Sequence, residues 1–506
     1  MPFEARPREA PQDLSRFLNP RGVAIVGASN DPARIGGQPI RLLTEFGYSG
    51  KVYPVNPKYS EIRGLPCHPE VSAVPQPCDV ALVALSASHV CAVIEQCGDA
   101  GIPYALVLSA GFSEVGDEGK KLQAELVATA RRARVRLVGP NCLGILNLKD
   151  HARIGFGGTL QLTTLKAGPL AMVTQSGGFG FGVVAMACHY GLGFNYAIST
   201  GNEADLTLLD WVADLLERPE VEIVVAFMEG ITDGRRMMAI GERALQLGKP
   251  ILVWKVGNSD IGRRAATSHT ARLTAGYELY RAAFRGGGYI EIRDVDDLID
   301  MSKLLLTRKR PAGNRVAVLT LSGGAGVLLA DRAIEHGLTL PRLSEPTTAK
   351  LRDILVSFAS ADNPIDATAH GYNDNFASYS KAIREVLADP NIDQIVARPP
   401  RGKSARPWAE GLLEVVRQTE KPLVLNWPTA PDDNGDVLRY LEDQGVPCIL
   451  APSRCISAMA AVTAFAHRCR TCLSAPKRVA TRVVPRVELD LPHGATTLGE
   501  HRSKQL

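Results

Sequence analysis

The sequence predicts an α/β protein made of successive parallel-sheet units. Two observations carry that expectation. Short unbroken runs of Val, Ile, Leu and Ala alternate with amphipathic stretches, the pattern of βαβ units whose strands are buried on both faces. One segment also recurs: LAMVTQSGGFGFGVVAMACHYGL from Leu170 superposes without a gap on VAVLTLSGGAGVLLADRAIEHGL from Val316. Each copy reads as strand, SGG turn, amphipathic helix and glycine stop, so a duplicated domain is the economical explanation.

The elements follow in order. GVAIVG (Gly22 to Gly27) is a buried strand, followed by a glycine-containing turn and a helix over Pro39 to Phe46. VYPVNP, DVALVAL, YALVLSAG and RLVGPNCLG supply four more strands. A Rossmann-like unit is therefore expected over residues 1–150. The first SGG copy opens a flavodoxin-like unit over 151–307, closing in the helix DVDDLIDMSKLLL. RKRPAGNR is basic, with Pro and Gly together, and reads as a linker to a second flavodoxin-like unit over 314–468. The tail from Cys469, over 469–506, is basic and aperiodic and is expected to be a linker.

Composition narrows the function classes. At 506 residues the chain exceeds a single core, and its 45% hydrophobic content suits a globular protein. A net charge of +4, with both signs interleaved, argues against nucleic acid. No apolar run is long enough for a membrane span, and the charged N-terminus lacks a secretory h-region. Ten irregularly spaced cysteines fit reduced thiols in a cytoplasmic protein. The single CxxC, Cys469 with Cys472, ends a helical pattern and reads as structural; no metal site is expected.

Chemistry is expected where parallel strands end, since βα turns present backbone N–H groups there. In the first unit these turns are GASNDPARIGG, VNPK, SAGFSE and GPNCLG. Gly27 permits a tight turn, and Ala28 and Ser29 are small enough for close backbone approach. Lys58, beside Asn56 and Pro57, offers a cation to a phosphate. No acidic residue follows the second strand to hold a ribose diol, which disfavours a nicotinamide cofactor. In the duplicated unit Ser176, Gly177 and Gly178 open a helix whose N-terminus suits phosphate. His269 lies in a small, hydroxyl-rich stretch, RRAATSHTARLTAG, and Glu229 ends the strand VVAFMEG.

Together GAS, VNPK, SAGFSE and GPNCLG resemble the CoA-binding domain of the succinyl-CoA synthetase and ADP-forming acetyl-CoA synthetase superfamily, and the likeness runs over nearly all of residues 15–470. The resemblance implies an NDP-forming acyl-CoA synthetase. Gly27, Ala28, Ser29, Asn56, Pro57 and Lys58 would hold the CoA nucleotide. Ser109, Ala110 and Gly111 would add to that edge, and Asn141 and Cys142 would lie near the pantetheine thiol. SHT resembles the phosphohistidine loop, with Glu229 as the glutamate that steadies His269. STGNEAD (Ser199 to Asp205) resembles a further signature, in which Glu203 and Asp205 read as structural. The third unit carries a likeness to the NPxD element, Asn363 to Asp366, and no counterpart of SHT; it reads as a docking unit, with ARPPRGKS a solvated loop.

The sequence departs from the family pattern at Leu85, where Pro is common, and at Ala271, where Gly is usual, with Arg272 following. No P-loop or ATP-grasp pattern occurs, although TTLGEHRSKQL resembles the opening helix of an ATP-grasp module. The expected activity is formation of acyl-CoA from a small carboxylic acid, through an acyl phosphate and phosphohistidine. ATP, ADP and Mg would act through a separate ATP-grasp subunit, or the chain would be a homo-oligomer. The alternative is a catalytically silent CoA- or acyl-CoA-binding regulatory protein.

Overall fold

The computed structural model describes residues 14–262, 276–428 and 431–474. His269, Ala271 and Arg272, and the tail beyond Ser474, lie outside the described residues.

Three parallel five-strand arrangements follow one another, each with order 2-1-3-4-5 in its own strand sequence. In the first sheet the order is Lys51–Val55, Gly22–Val26, Val80–Val83, Tyr104–Val107 and Arg136–Val138. Its first strand, Gly22–Val26, is wholly buried because GVAIV has no polar side chain to spare for either face. The third sheet repeats the plan with Ile365–Asp366, Val316–Thr320, Gln394–Ala397, Leu423–Asn426 and Cys448–Ile449.

The second sheet has the same parallel core, with Leu170–Thr174 as first strand between Phe194–Ser199 and Ile223–Met228. It is longer by a hairpin the sequence reading did not foresee. Gly144–Asn147 and Ala152–Gly155 pair antiparallel and extend the sheet beside Phe194–Ser199. Only Gly139 to Leu143 separate the last strand of the first sheet from the hairpin in the second. The first two units therefore share a short, directly spliced seam.

Helix Pro452–Ser474 lies across the second and third units, against Val295–Leu306 and Gly323–Glu335. Its apolar stripe of Cys455, Met459, Val462 and Ala466 is buried, and Cys469 and Cys472 continue it at partial burial. The helix thus runs through the CxxC to Ser474, where the sequence had suggested a linker from Cys469. All ten cysteines are free. Arg454 of this helix bonds Asp300 at 2.7 and 3.0 Å and Asp296 at 2.8 Å, fixing the second unit to the third.

One ionic device occurs twice. Arg21, just before the first strand, gives its backbone N, Nε and Nη2 to Asp79 at 2.8, 2.9 and 2.6 Å. Arg315 does the same to Asp393 at 3.0, 2.9 and 2.8 Å. In both carboxylates burial raises the pKa, but the arginine hydrogen bonds outweigh it and the net shift is downward. Each pair pins the start of strand one to the start of strand three.

Candidate functional site between the first two units

In a sheet of order 2-1-3-4-5 the crevice opens between strands one and three, where successive crossovers leave on opposite faces. The first and second units turn these crevices toward a common cleft of about 470 Å³. From the first unit it receives Ala84, Leu85, Ser109, Ala110, Asn141 and Cys142. From the second it receives Gln175, Ser176, Gly177, Gly178, the strand-end residue Ser199, and Gly201 and Asn202 of the seam loop that follows, Thr200 to Asp205.

The first-unit turns are held by side chains bonded to their backbone. Asn56 Nδ2 donates to Ala28 O at 2.7 Å, tying VNPK to the GAS turn. Ala28 is fully buried, so only its backbone is available there, whereas Pro57 and Lys58 are exposed. Gly27, Ala28, Ser29, Asn56, Pro57, Lys58 and Gly111 belong to the same strand-end edge but do not line the cleft itself. Gly36 is required by close approach, since a Cβ there would stand 2.1 Å from Gly27 O. Ser109 Oγ donates to Leu85 O at 2.5 Å, and Ser109 O accepts from Asn141 N at 2.9 Å. Glu114 Oε1 accepts from the N–H groups of Gly111 and Phe112 at 2.5 and 3.1 Å. Cys142, 4% exposed, directs Sγ to Val107 O at 3.4 Å, and burial pushes its thiol up to about 12. It is an apolar wall, not a thiolate.

From the second unit, Ser176 precedes helix Gly177–His189, whose first N–H groups open at the cleft. Gly177 must be glycine because a Cβ would meet Ser199 Oγ at 2.6 Å. The seam loop is tied to the first unit by Asn202 N to Pro140 O at 2.9 Å and Ala204 N to Gly139 O at 3.0 Å. Asn202 Nδ2 also reaches Glu114 Oε2 at 2.5 Å, and Asp205 accepts Arg136 Nε at 2.6 Å. Glu203 accepts from Thr200 Oγ1 at 2.9 Å and Leu208 N at 3.0 Å. These bonds hold the seam loop against the first unit and against its own following helix.

Glu229 sits just beyond strand Ile223–Met228 and is 6% exposed. Its backbone N donates to Gln175 Oε1 at 2.6 Å, and its O accepts from Lys255 Nζ at 2.9 Å. Lys255 is 4% exposed and stacked 4.7 Å over the Tyr280 ring. Burial lowers its pKa to about 8 against the opposing pull of the Glu229 charge. Gln175 and Lys255 were not singled out in the sequence. Their neighbours SGG and MEG were visible as strand-end turns, but the pairing across strands was not.

In the third unit Asn363 is a brace, with Oδ1 accepting Val318 N at 3.1 Å and Nδ2 donating to Val316 O at 2.9 Å. Arg401, Gly402 and Lys403 are exposed. Among the described residues no helix is long and apolar enough to cross a membrane.

A strand-end edge of the first unit facing a helix start of the second, within three successive parallel-sheet units, defines a class: a CoA-binding domain joined to two succinyl-CoA-ligase-like domains. Residues 21–147 match the CoA binding domain, 167–305 the succinyl-CoA ligase like flavodoxin domain, and 316–401 the ligase-CoA domain. The alpha subunit of the ADP-forming acetate–CoA ligase II of Pyrococcus furiosus is 35% identical over 445 residues, 87% of this chain and 95% of that subunit. The ADP-forming acetate–CoA ligase I of Archaeoglobus fulgidus is 38% identical over 383 residues, 76% of this chain and 54% of that protein. A solved structure titled as the dinucleotide forming acetyl-coenzyme A synthetase 1 of Ca. Korarchaeum cryptofilum, with phosphate and ADP, superposes at a TM-score of 0.83. It is 32% identical, covering 93% of this chain and 100% of that one. The chain belongs to the ADP-forming acyl-CoA synthetase family and corresponds to its CoA-binding alpha part.

Proposed function

We propose that this chain forms acyl-CoA reversibly through a phosphohistidine at His269, with CoA delivered along the cleft and nucleotide handled by an ATP-grasp partner. The carrying observation is that the first unit's CoA edge and the Ser176–Gly178 helix start meet in one cleft. In the synthetic direction, phosphohistidine gives its phosphoryl group to a small carboxylate, and the acyl phosphate forms as His269 is released. The CoA thiolate then attacks the acyl carbon, the C–O bond to phosphate breaks, and acyl-CoA and phosphate leave.

The protein's part is positioning and anion stabilisation. Backbone N–H groups at Ser176–Gly178 would hold the phosphoryl oxygens. Glu229 would orient the imidazole through its other ring nitrogen. Asn141 and the apolar Cys142 would border the pantetheine end, while Gly27–Ser29, Asn56–Lys58 and Ser109–Gly111 would hold the nucleotide end. The alpha-subunit relative supports a separate nucleotide-binding subunit carrying Mg and ATP or ADP, and a homo-oligomer is the other arrangement compatible with the chain. Ten free cysteines support a reducing, cytoplasmic setting.

Ala271, in place of the family's Gly, favours a second reading, a CoA-binding regulatory protein without catalysis. The two separate in one experiment. The chain is incubated with acetyl phosphate, a small panel of other acyl phosphates and Mg²⁺, and its intact mass is followed. An acid-labile gain of one phosphoryl group, absent in His269→Ala, is the expected result. No label from any acyl phosphate, while CoA still binds, would overturn the catalytic reading in favour of the second.

A further inference from the structure

The geometry points to Gln175 as a positioning residue for the phosphoryl transfer, one that fixes Glu229 and ties it to the CoA side of the cleft. The inference deepens the reading above and rests on Glu229 acting there.

Gln175 is 5% exposed and uses its whole carboxamide. Oε1 accepts from the N–H groups of Glu229 at 2.6 Å and Gly230 at 3.0 Å. Nε2 donates to Gly230 O at 2.8 Å and to Glu203 Oε1 at 2.9 Å. A strand end needs partners for its backbone groups, but any small polar side chain or water meets that need. Here a single planar amide satisfies both faces of the 229–230 peptide region and has one N–H left over, aimed at a carboxylate. On the opposite flank the Lys255 ammonium holds Glu229 O, and it also bonds Val256 O. Both backbone polar groups of Glu229 are therefore gripped by buried side chains, which removes rotational freedom at the residue proposed to orient the histidine.

The Glu203 bond gives the grip a direction. Glu203 lies in the seam loop, beside Asn202, which bonds Glu114 and Gln123 of the first unit and accepts from Asn141 at 3.3 Å. Gln175 thus joins the turn carrying Glu229 to the loop that borders Asn141. A misplacement of about 1 Å at a residue orienting a reacting group is enough to cost on the order of a hundredfold in rate.

The test uses the full chain and the rate of phosphoryl uptake from acetyl phosphate, with CoA affinity and thermal midpoint measured alongside. Gln175→Met keeps the length and loses all four bonds. It is expected to lower the saturating uptake rate at least tenfold, with little change in the acetyl phosphate concentration for half-maximal rate. Glu229→Gln is expected to lower that rate too, and the double variant should be no slower than Glu229→Gln alone, within twofold. Independent, multiplying effects would overturn the proposal, as would a Gln175→Met defect confined to half-saturation. If Glu229→Gln leaves uptake intact, this role for Gln175 falls while phosphorylation of His269 stands.

Should Gln175→Met fail to fold, Gln175→Glu serves. It keeps the acceptor for the two N–H groups but places a carboxylate beside Glu203 and Glu229, with Lys255 the nearby cation. Protonation restores one donor, so the ratio of its rate to wild type should rise from pH 8 to pH 6. A flat ratio would count against the proposal.

Discussion

Gly201→Ala tests whether the seam between the first two units is as tight as the contacts imply. Gly201 has φ +56°, and a Cβ there would stand 2.3 Å from Pro140 O, 2.6 Å from Asn141 O and 2.8 Å from Asn141 C. Ordinary contact begins near 3.5 Å, so the Pro140–Asn141 turn and the seam loop must part by about 1 Å. That movement breaks Asn202 N–Pro140 O and Ala204 N–Gly139 O, each contributing about 1 kcal/mol. Alanine in the left-handed region adds about 1 kcal/mol. If CoA binding requires the seam to re-form, the hydrogen-bond part, about 2 kcal/mol, appears as roughly thirtyfold weaker CoA binding. Calorimetric titration of CoA into both proteins, with a thermal melt of each, reads the effect. Affinity within threefold of wild type, together with an unshifted melt, would refute the reasoning by showing that the seam yields without cost.

Three further outcomes are expected. Gly182→Ala, at an exposed interior position of helix Gly177–His189 where a Cβ meets nothing within 4 Å, should stabilise by about 0.5–1 kcal/mol and raise the melt; a lower melt would contradict it. Arg315→Met removes both guanidinium hydrogen bonds from the buried Asp393 carboxylate, leaving it the backbone N–H of residue 315, and should destabilise by about 2 kcal/mol at pH 7. Because the folded carboxyl lies below its unfolded value, that stability is present above the unfolded pKa and lost as pH falls through the folded one, so urea melts of variant and wild type should converge on acidification. Parallel curves down to pH 3 would exclude the pair as the cause. Cys142, buried and with its thiol pushed up to about 12, should be alkylated by iodoacetamide at pH 7.5 more slowly than the half-buried Cys472. Peptide mapping showing Cys142 modified first would mean that the cleft wall opens readily.

The strands announced themselves because each is an unbroken apolar run, as in GVAIV and LAMVT, and burial on both faces leaves no other composition workable. The SGG copies marked the first strand of two sheets for the same reason, with glycine where the helix start comes close to its neighbour. What stayed hidden depends on contacts across the fold. Gln175 has no local signal of its own beside the SGG turn; its partner lies 54 positions away at Glu229. Lys255 likewise ends a strand, and its bond to Glu229 O joins residues 26 positions apart. The Arg21–Asp79 and Arg315–Asp393 pairs span 58 and 78 positions and fall outside the repeated segment, so their likeness emerges only in three dimensions. The hairpin at 144–155 was missed because its strands are short and one of them carries the buried Arg153, whose Nη1 donates to the carbonyls of Leu160 and Leu162. In the tail, Cys469 and Cys472 were legible at the end of a helical pattern, while the continuation of that helix to Ser474 was not.

The directly spliced seam has a mechanical consequence. A hinge between domains needs slack in the chain that crosses it. Here the crossing segment from Val138 to Gly144 spans at most about 20 Å when fully stretched, and both of its ends are locked into sheets. Swinging the first unit away from the second would peel Gly144–Asn147 from its neighbours strand by strand. The cleft therefore behaves as a fixed-gauge slot, not a jaw. The gauge of the slot is thus set by the length of one short connector, and the side chains along it are left as the adjustable part.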